Sequence, residues 1–194
     1  MVKELREIAE VLSGYTFRGA IEPDEKGSVF VLQAKNVSQS DSIADVDNLV
    51  KITANIPRSA TYLQRNDVVI VSRGMGVGAF RSAVFACDNG DVIASSSVLI
   101  IRLKDKEVLP EYISLYLNSV TGQGALSQVV SGAHIQTILR RSLQELPILI
   151  PPLKKQELIV KVWNNIKQQE KIANRKRILR KQIFETTFNV TNTK

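Results

Sequence analysis

At 194 residues, with 44% apolar and 23% charged side chains, the chain is sized for one core plus an appendage and has too much apolar content for a disordered polymer. No apolar run approaches the ~18 residues of a membrane span. The charged start MVKELREIAEV lacks a signal peptide's apolar centre, and a single cysteine, Cys87, excludes an internal disulfide framework and suits a reducing cytoplasm.

Charge is unevenly placed. Residues 1–150 carry 15 Lys/Arg against 16 Asp/Glu, whereas residues 151–194 carry 11 against 3. A basic tail of this kind suits a phosphate backbone, an anionic membrane surface or an acidic protein, and composition does not choose among them.

In chain order, Leu5, Ile8, Ala9 and Leu12 fall at helical spacing and predict a first helix over residues 2–12, broken by SGYTF. SVFVLQAKNV reads as a strand, residues 36–48 as a polar connection, and residues 65–67 as a turn before a buried strand over 68–72. From Arg73 to Arg102 the pattern predicts two strands joined by a hairpin turn at residues 88–91, where Asn-Gly favours such a turn. Pro110 followed by Glu111 starts a helix with Tyr112, Ile113, Tyr116 and Leu117 inward, interrupted by Gly122 and Gly124. A second helix is predicted from about His134, with Ile135, Ile138 and Leu139 facing in. ELPILIPP is extended, because Ile150 precedes Pro151.

Residues 153 to about 185 read as one helix of roughly 33 residues, about 50 Å long. Its apolar stripe comprises Leu158, Ile159, Val162, Ile166, Ile172, Ala173, Leu179 and Ile183, with Gln169 and Lys176 at the same seam. Either a second helix covers this stripe in a coiled coil, with the polar residues fixing register, or the helix folds back on its own domain. The predicted fold class is mixed α/β (α+β), with a globular domain over residues 1–150 and a helical region over 151–194.

Catalytic signatures are sparse. One histidine and one cysteine leave no metal cluster and no Cys–His pair with a spare ligand. RGMGVGAF has the wrong spacing for a dinucleotide loop and reads as a turn, as does PDEK. Candidate nucleic-acid contacts gather instead at loop positions: Tyr15, Thr16 and Arg18; Gln33, Lys35 and Asn36; Arg73 and Arg81; Ser95, Ser96 and Ser97; then His134 and Gln136, backed by Arg140 and Arg141. Arg, Asn, Gln and Ser are the side chains that meet base edges and phosphates. Each of them alone equally suits a solvated loop, cap or turn.

LREIAEVLSGYTF, LQRNDVVIVSRG, SSSVLIIR and above all LQELPILIPPLKKQELI together resemble the specificity subunits of type I restriction–modification enzymes, in the order those subunits use. The resemblance implies a target recognition domain over residues 1–150, followed by a helix that spaces two such domains and docks methyltransferase subunits. It implies double-stranded DNA as ligand and no cofactor on this chain. S-adenosylmethionine then belongs to the methyltransferase, and ATP to a further restriction (motor) subunit. A complete family member has two domains and two helices in about twice this length. Two halves paired through antiparallel helices, as a homodimer, rebuild that arrangement and predict a gapped palindromic target. A silent, unpartnered half-subunit and a stand-alone nucleic-acid-binding regulator whose tail meets membrane or RNA are the competing readings.

Overall fold

The computed structural model describes residues 1–191 except 39–42, 44–47, 54–55, 58–59, 77, 89–90 and 133, with side chains described as far as residue 188. The chain begins with β1 (Val2–Glu4), α1 (Leu5–Ile8) and β2 (Ala9–Ser13). β3 (Val29–Leu32) runs into a 3-10 turn at Ala34–Asn36, and β4 (Val50–Ile52) follows. β5 (Val68–Val71), β6 (Arg73–Gly74), β7 (Ser82–Val84), β8 (Val92–Ala94) and β9 (Val98–Leu103) make up the β-rich centre. Then come α2 (Pro110–Asn118), α3 (Val120–Val129), β10 (Val130–Ser131), β11 (Gln136–Ile138), α4 (Arg140–Gln144) and β12 (Pro147–Leu149). The last element is α5, Leu153–Thr191, 39 residues long.

The organising element is the four-stranded sheet β2-β9-β5-β7. Its central strand β5, VVIV, is apolar and buried at every position because both faces are covered. Val68, Ile70, Leu99 and Ile101 point into a core shared with α1, α2, α3 and α4, through Leu5, Ile8, Ile113, Leu117, Leu126 and Leu143. Val69, Val71, Val98 and Ile100 point the other way, onto Leu32, Phe85, Val92 and Ala94. A second sheet, β4-β3-β8, forms this next layer. Its outer face, Val29, Val31, Ile52 and Ile93, is covered by Tyr15, Phe17, Ile21, Ile56 and Tyr62. The alternation of neighbouring residues between cores is the two-residue period of a strand.

The mixed α/β class with a long C-terminal helix is as expected, but four local expectations are corrected. The first helix is a single turn: Val2–Glu4 pairs with Leu149–Pro147 and Ala9–Ser13 with Leu103–Leu99. Leu5 and Ile8 are the buried residues of that turn, but from Ala9 the repeat is that of a strand, with Ala9 and Val11 buried and Glu10 exposed between them. β7 and β8 do not form a hairpin: β7 lies antiparallel to β5, and β8 lies parallel to β3, in different sheets. The turn residues Asn89 and Gly90 lie outside the described residues. Gly122 and Gly124 sit inside α3, and the break comes three residues before Gly122, at Ser119, whose hydroxyl caps α3 by accepting from the Gly122 amide at 3.1 Å. Finally, no helix starts at His134: Gln136–Ile138 is a strand, and Ile135 and Leu139 are exposed while Ile138 is buried. Strand pairing of Thr137 with Arg73 and Ser131 overrides the helical spacing there.

The globular part closes where the helix leaves it. β1 and β12 pair, and the Ile150 amide donates to the Met1 carbonyl at 2.7 Å. Gln156, fully buried on the first turn of α5, accepts from the Leu109 amide and donates to the Glu107 and Pro151 carbonyls, each at 2.9 Å. Tyr112 on α2 donates to the Leu149 carbonyl at 2.6 Å. Burial, with Tyr116 beside it, pushes its phenol above the ordinary value, so the donated hydrogen stays in place across the neutral range. Beyond this anchorage α5 does not fold back. From Lys161 to Phe188 every side chain but the half-buried Lys167 is exposed.

Candidate nucleic-acid interface and projecting helix

Three of the predicted loop groups meet. The chain crosses itself where Tyr15 bridges to Ser95, the Tyr15 amide donating to the Ala94 carbonyl at 2.7 Å. Gly14 is required at this crossing, since a Cβ there would overlap the Ser95 carbonyl. Beside it opens a cleft of about 560 Å³ lined by Phe17, Ile21, Gln33, Lys35, Ser95 and Ser96, with Ser97 also in its wall. Thr16, Arg18, Lys35 and Ser96 are exposed at or near its rim. Ser95 is nearly buried and its hydroxyl hydrogen-bonds that of Ser97 at 2.8 Å. Tyr15 and Phe17 pack edge to face, 4.9 Å between centroids.

The Lys35 loop is held from below. Arg81 donates Nε to the Val37 carbonyl at 2.9 Å and Nη2 to the Ala34 carbonyl at 3.2 Å. Asn36 accepts from the Gln33 amide at 2.9 Å and donates to the Asn48 carbonyl at 3.0 Å. Both side chains therefore shape the loop that presents Lys35 and Gln33.

Arg73 and Gln136 form a second group, joined by the β6–β11 ladder, with exposed His134 just before it. Ser72 links the two groups. Its amide donates to the Ser97 carbonyl and its own carbonyl accepts from the Ile138 amide, both at 2.8 Å. Arg140 and Arg141 are exposed on α4, where Arg141 pairs with Glu145 at 3.2 Å; none of the contacts described brings these two into the cleft.

On the opposite flank, α5 and α2 frame an apolar groove of about 500 Å³ lined by Leu115, Leu158, Ile159, Val162, Trp163 and Ile166. The ten predicted seam residues, Leu158 to Ile183, are all exposed. So are Trp163, Ile178, Phe184 and Phe188, which the sequence reading passed over because they sit beside the stripe rather than on it. The sequence reading also left out the apolar cleft wall, Phe17 and Ile21; three aromatic or aliphatic residues within seven positions, at 15, 17 and 21, were the available signal.

Among the described residues no group of His, Cys, Asp or Glu is placed to hold a metal ion, and no helix is long and apolar enough to cross a membrane. α5 has the length for a span but not the apolarity.

A layered α/β domain followed by a long projecting helix is the architecture of a DNA specificity domain. The family described as type I restriction modification DNA specificity domain matches residues 1–180, and the chain belongs to that family. Solved structures share the fold. A chain from a study of complex assembly and conformational transition of the type I R-M system aligns with TM-score 0.66 and 18% identity, over 96% of this chain and 43% of that one. The HsdS subunit from Thermoanaerobacter tengcongensis aligns with TM-score 0.61 and 20% identity, over 90% and 39%. The type I restriction-modification system S subunit from M. genitalium gives 0.59 and 14%, over 93% and 42%. This chain thus spans about two fifths of the length of each. No curated protein sequence matched.

Proposed function

We propose that the chain is a DNA-recognition subunit of a type I restriction–modification complex, acting as a homodimer through α5. Each domain reads one half-site, and the pair reads a gapped palindrome while docking methyltransferase subunits. The observation that carries this reading is a specificity-domain fold whose projecting helix leaves its apolar seam exposed. Two copies related by a two-fold axis place two domains and two helices in one assembly.

In this reading Lys35 and Arg18 meet phosphates, while Gln33, Ser96 and Ser97 offer hydrogen-bonding groups to base edges across the cleft. Thr16 adds a further hydroxyl at the rim, and Arg73, His134 and Gln136 extend the contact beyond Ser72. At ~1.5 Å per residue the 39-residue helix is about 58 Å long, which spaces the two readers along one face of a duplex. Methyl transfer with S-adenosylmethionine and ATP-driven cleavage belong to partner subunits, in the cytoplasm; the chain itself contributes recognition and spacing.

The test is a methylation map of the host genome with and without the gene. Loss of methylation at a gapped palindrome is expected. Loss at an asymmetric gapped site would retain DNA recognition but replace the homodimer by a pairing with a different half. An unchanged map removes the proposed role in this host and favours a silent half-subunit.

A further inference from the structure

The antiparallel homodimer reading leaves open the register in which the two helices meet, and the side chains of α5 carry a specific answer. Trp163, Glu170, Arg177 and Phe184 follow one another at intervals of seven residues, so they form one column along the helix, drifting only ~20° per step. Aromatic residues stand at its two ends and opposite charges at its centre. Read in reverse, the column is its own complement.

Two further features sit at the same ends. Trp163 and Ile159 belong to the apolar groove against Leu115 of α2. Phe184 and Phe188 stack on each other at 6.2 Å and are 69% and 57% exposed. Trp163 and Phe184 are 21 positions apart on one continuous helix, ~32 Å, so a chain cannot place its own phenylalanines in its own groove. Only another chain can.

Resting on the antiparallel homodimer reading, we infer a single register for the pair, with Trp163 of each copy facing Phe184 of the other and Glu170 facing Arg177. The Phe184–Phe188 pair of each chain then fills the Leu115–Trp163 groove of its partner, and the axis passes between Ala173 and Asn174, where the small side chain of Ala173 lets the helices approach. A parallel pairing sets Glu170 against Glu170 and Arg177 against Arg177, and leaves both grooves empty. The antiparallel register makes each charge contact twice, as an isologous interface must, in the flanking positions that set orientation in helical pairs. Arg177 also donates to Asn174 at 3.1 Å on its own helix, which holds the guanidinium beside the column.

The test uses the full chain with Trp163→Cys and Phe184→Cys, treated with a short bis-maleimide; Cys87 is buried and donates to the Ile43 carbonyl. The double variant is expected to give covalent dimer, and neither single variant should, since like positions lie far apart. Cross-linking by Phe184→Cys alone would mean a parallel pair, and absence of cross-linking in a chain that sediments as a dimer would mean another register. Both overturn the proposed register while sparing the homodimer; an unsubstituted chain that sediments as monomer removes both.

A charge test is independent. Glu170→Arg is expected to weaken the dimer and the added Arg177→Glu to restore it. Phe184→Ala with Phe188→Ala should raise the dimer Kd by at least ~30-fold, the effect of losing a buried aromatic anchor. If those two substitutions leave dimerisation untouched and abolish binding to the methyltransferase instead, the groove belongs to that protein and the register is wrong.

Discussion

In the globular domain one charged pair is turned inward. Asp67, 2% exposed, accepts from Arg102 Nε at 2.9 Å and Nη2 at 2.7 Å, and from the Gln64 amide at 2.8 Å. The Asp67 carboxylate holds the Arg102 guanidinium yet more firmly protonated than usual. In α5 the reverse holds: Lys and Arg stand in solvent, and Trp163, Leu179, Phe184 and Phe188 stand beside them. The domain completes its interactions within one chain, whereas the helix is a folded element whose apolar side has no cover of its own. A contiguous apolar face of that kind marks an interaction surface. The contrast can be broken at the domain, at the junction, at the cleft and at the seam of β1.

The largest effect is expected for Asp67→Ala. It strands a half-buried guanidinium and the Gln64 amide, so unfolding free energy should fall by about 3–5 kcal/mol, read by chemical denaturation. A loss below about 1 kcal/mol would show that the pair is solvated, and that the two regions differ less than their burial suggests.

Gln156→Leu comes next. It leaves the Leu109 amide and the Glu107 and Pro151 carbonyls without their partner inside the junction, a loss of about 1–3 kcal/mol. Hydrogen exchange should accelerate at the Leu109 amide while the β5 amides of the central sheet stay protected. Uniform acceleration across the domain would mean that helix base and core unfold as one unit.

Much of this contrast was legible in sequence. The charge split, the 110–118 helix start, the buried strand at 68–71 and the long final helix follow from composition, the proline position and periodicity. The short elements did not follow, because pairing decided them. Leu5, Ile8, Ala9 and Leu12 satisfy a helical repeat while Ala9 and Val11 in the same stretch satisfy a strand repeat, and only the β9 partner, ninety residues away, selects the strand from Ala9 onward. β7 and β8 were read as neighbours because they are sequential, yet each pairs with a strand of a different sheet. At the cleft, residue type pointed to Lys35, Arg81 and Ser95–Ser97 alike; only coordinates separate an exposed Lys35 from an Arg81 engaged with the Ala34 and Val37 carbonyls.

That separation makes a paired prediction. Lys35→Ala should weaken DNA binding and lower the salt slope by about one unit, as loss of one phosphate contact does. Arg81→Met should weaken binding by about 1–2 kcal/mol through its loop with the slope unchanged. Equal slope changes at both positions would place Arg81 on the phosphate backbone.

The smallest effect concerns Lys3 and Asp105, where β1 meets the end of β9. Lys3 Nζ lies 3.3 Å from Asp105 Oδ2. The Glu107 amide first, and the Lys3 ammonium second, hold the Asp105 carboxyl below its ordinary range. A carboxyl depressed in the folded state contributes stability that is present above its unfolded pKa and is lost as pH falls through the lower folded value. Stability measured against pH should therefore decline on the acid side of the ordinary aspartate range. Lys3→Met should remove only part of that decline, since the Glu107 amide remains, and should cost under about 1 kcal/mol at neutral pH. An acid limb identical in both proteins would show that the backbone amide alone sets the carboxyl, and that the β1 edge is held to the domain by its ladder to β12 and not by charge.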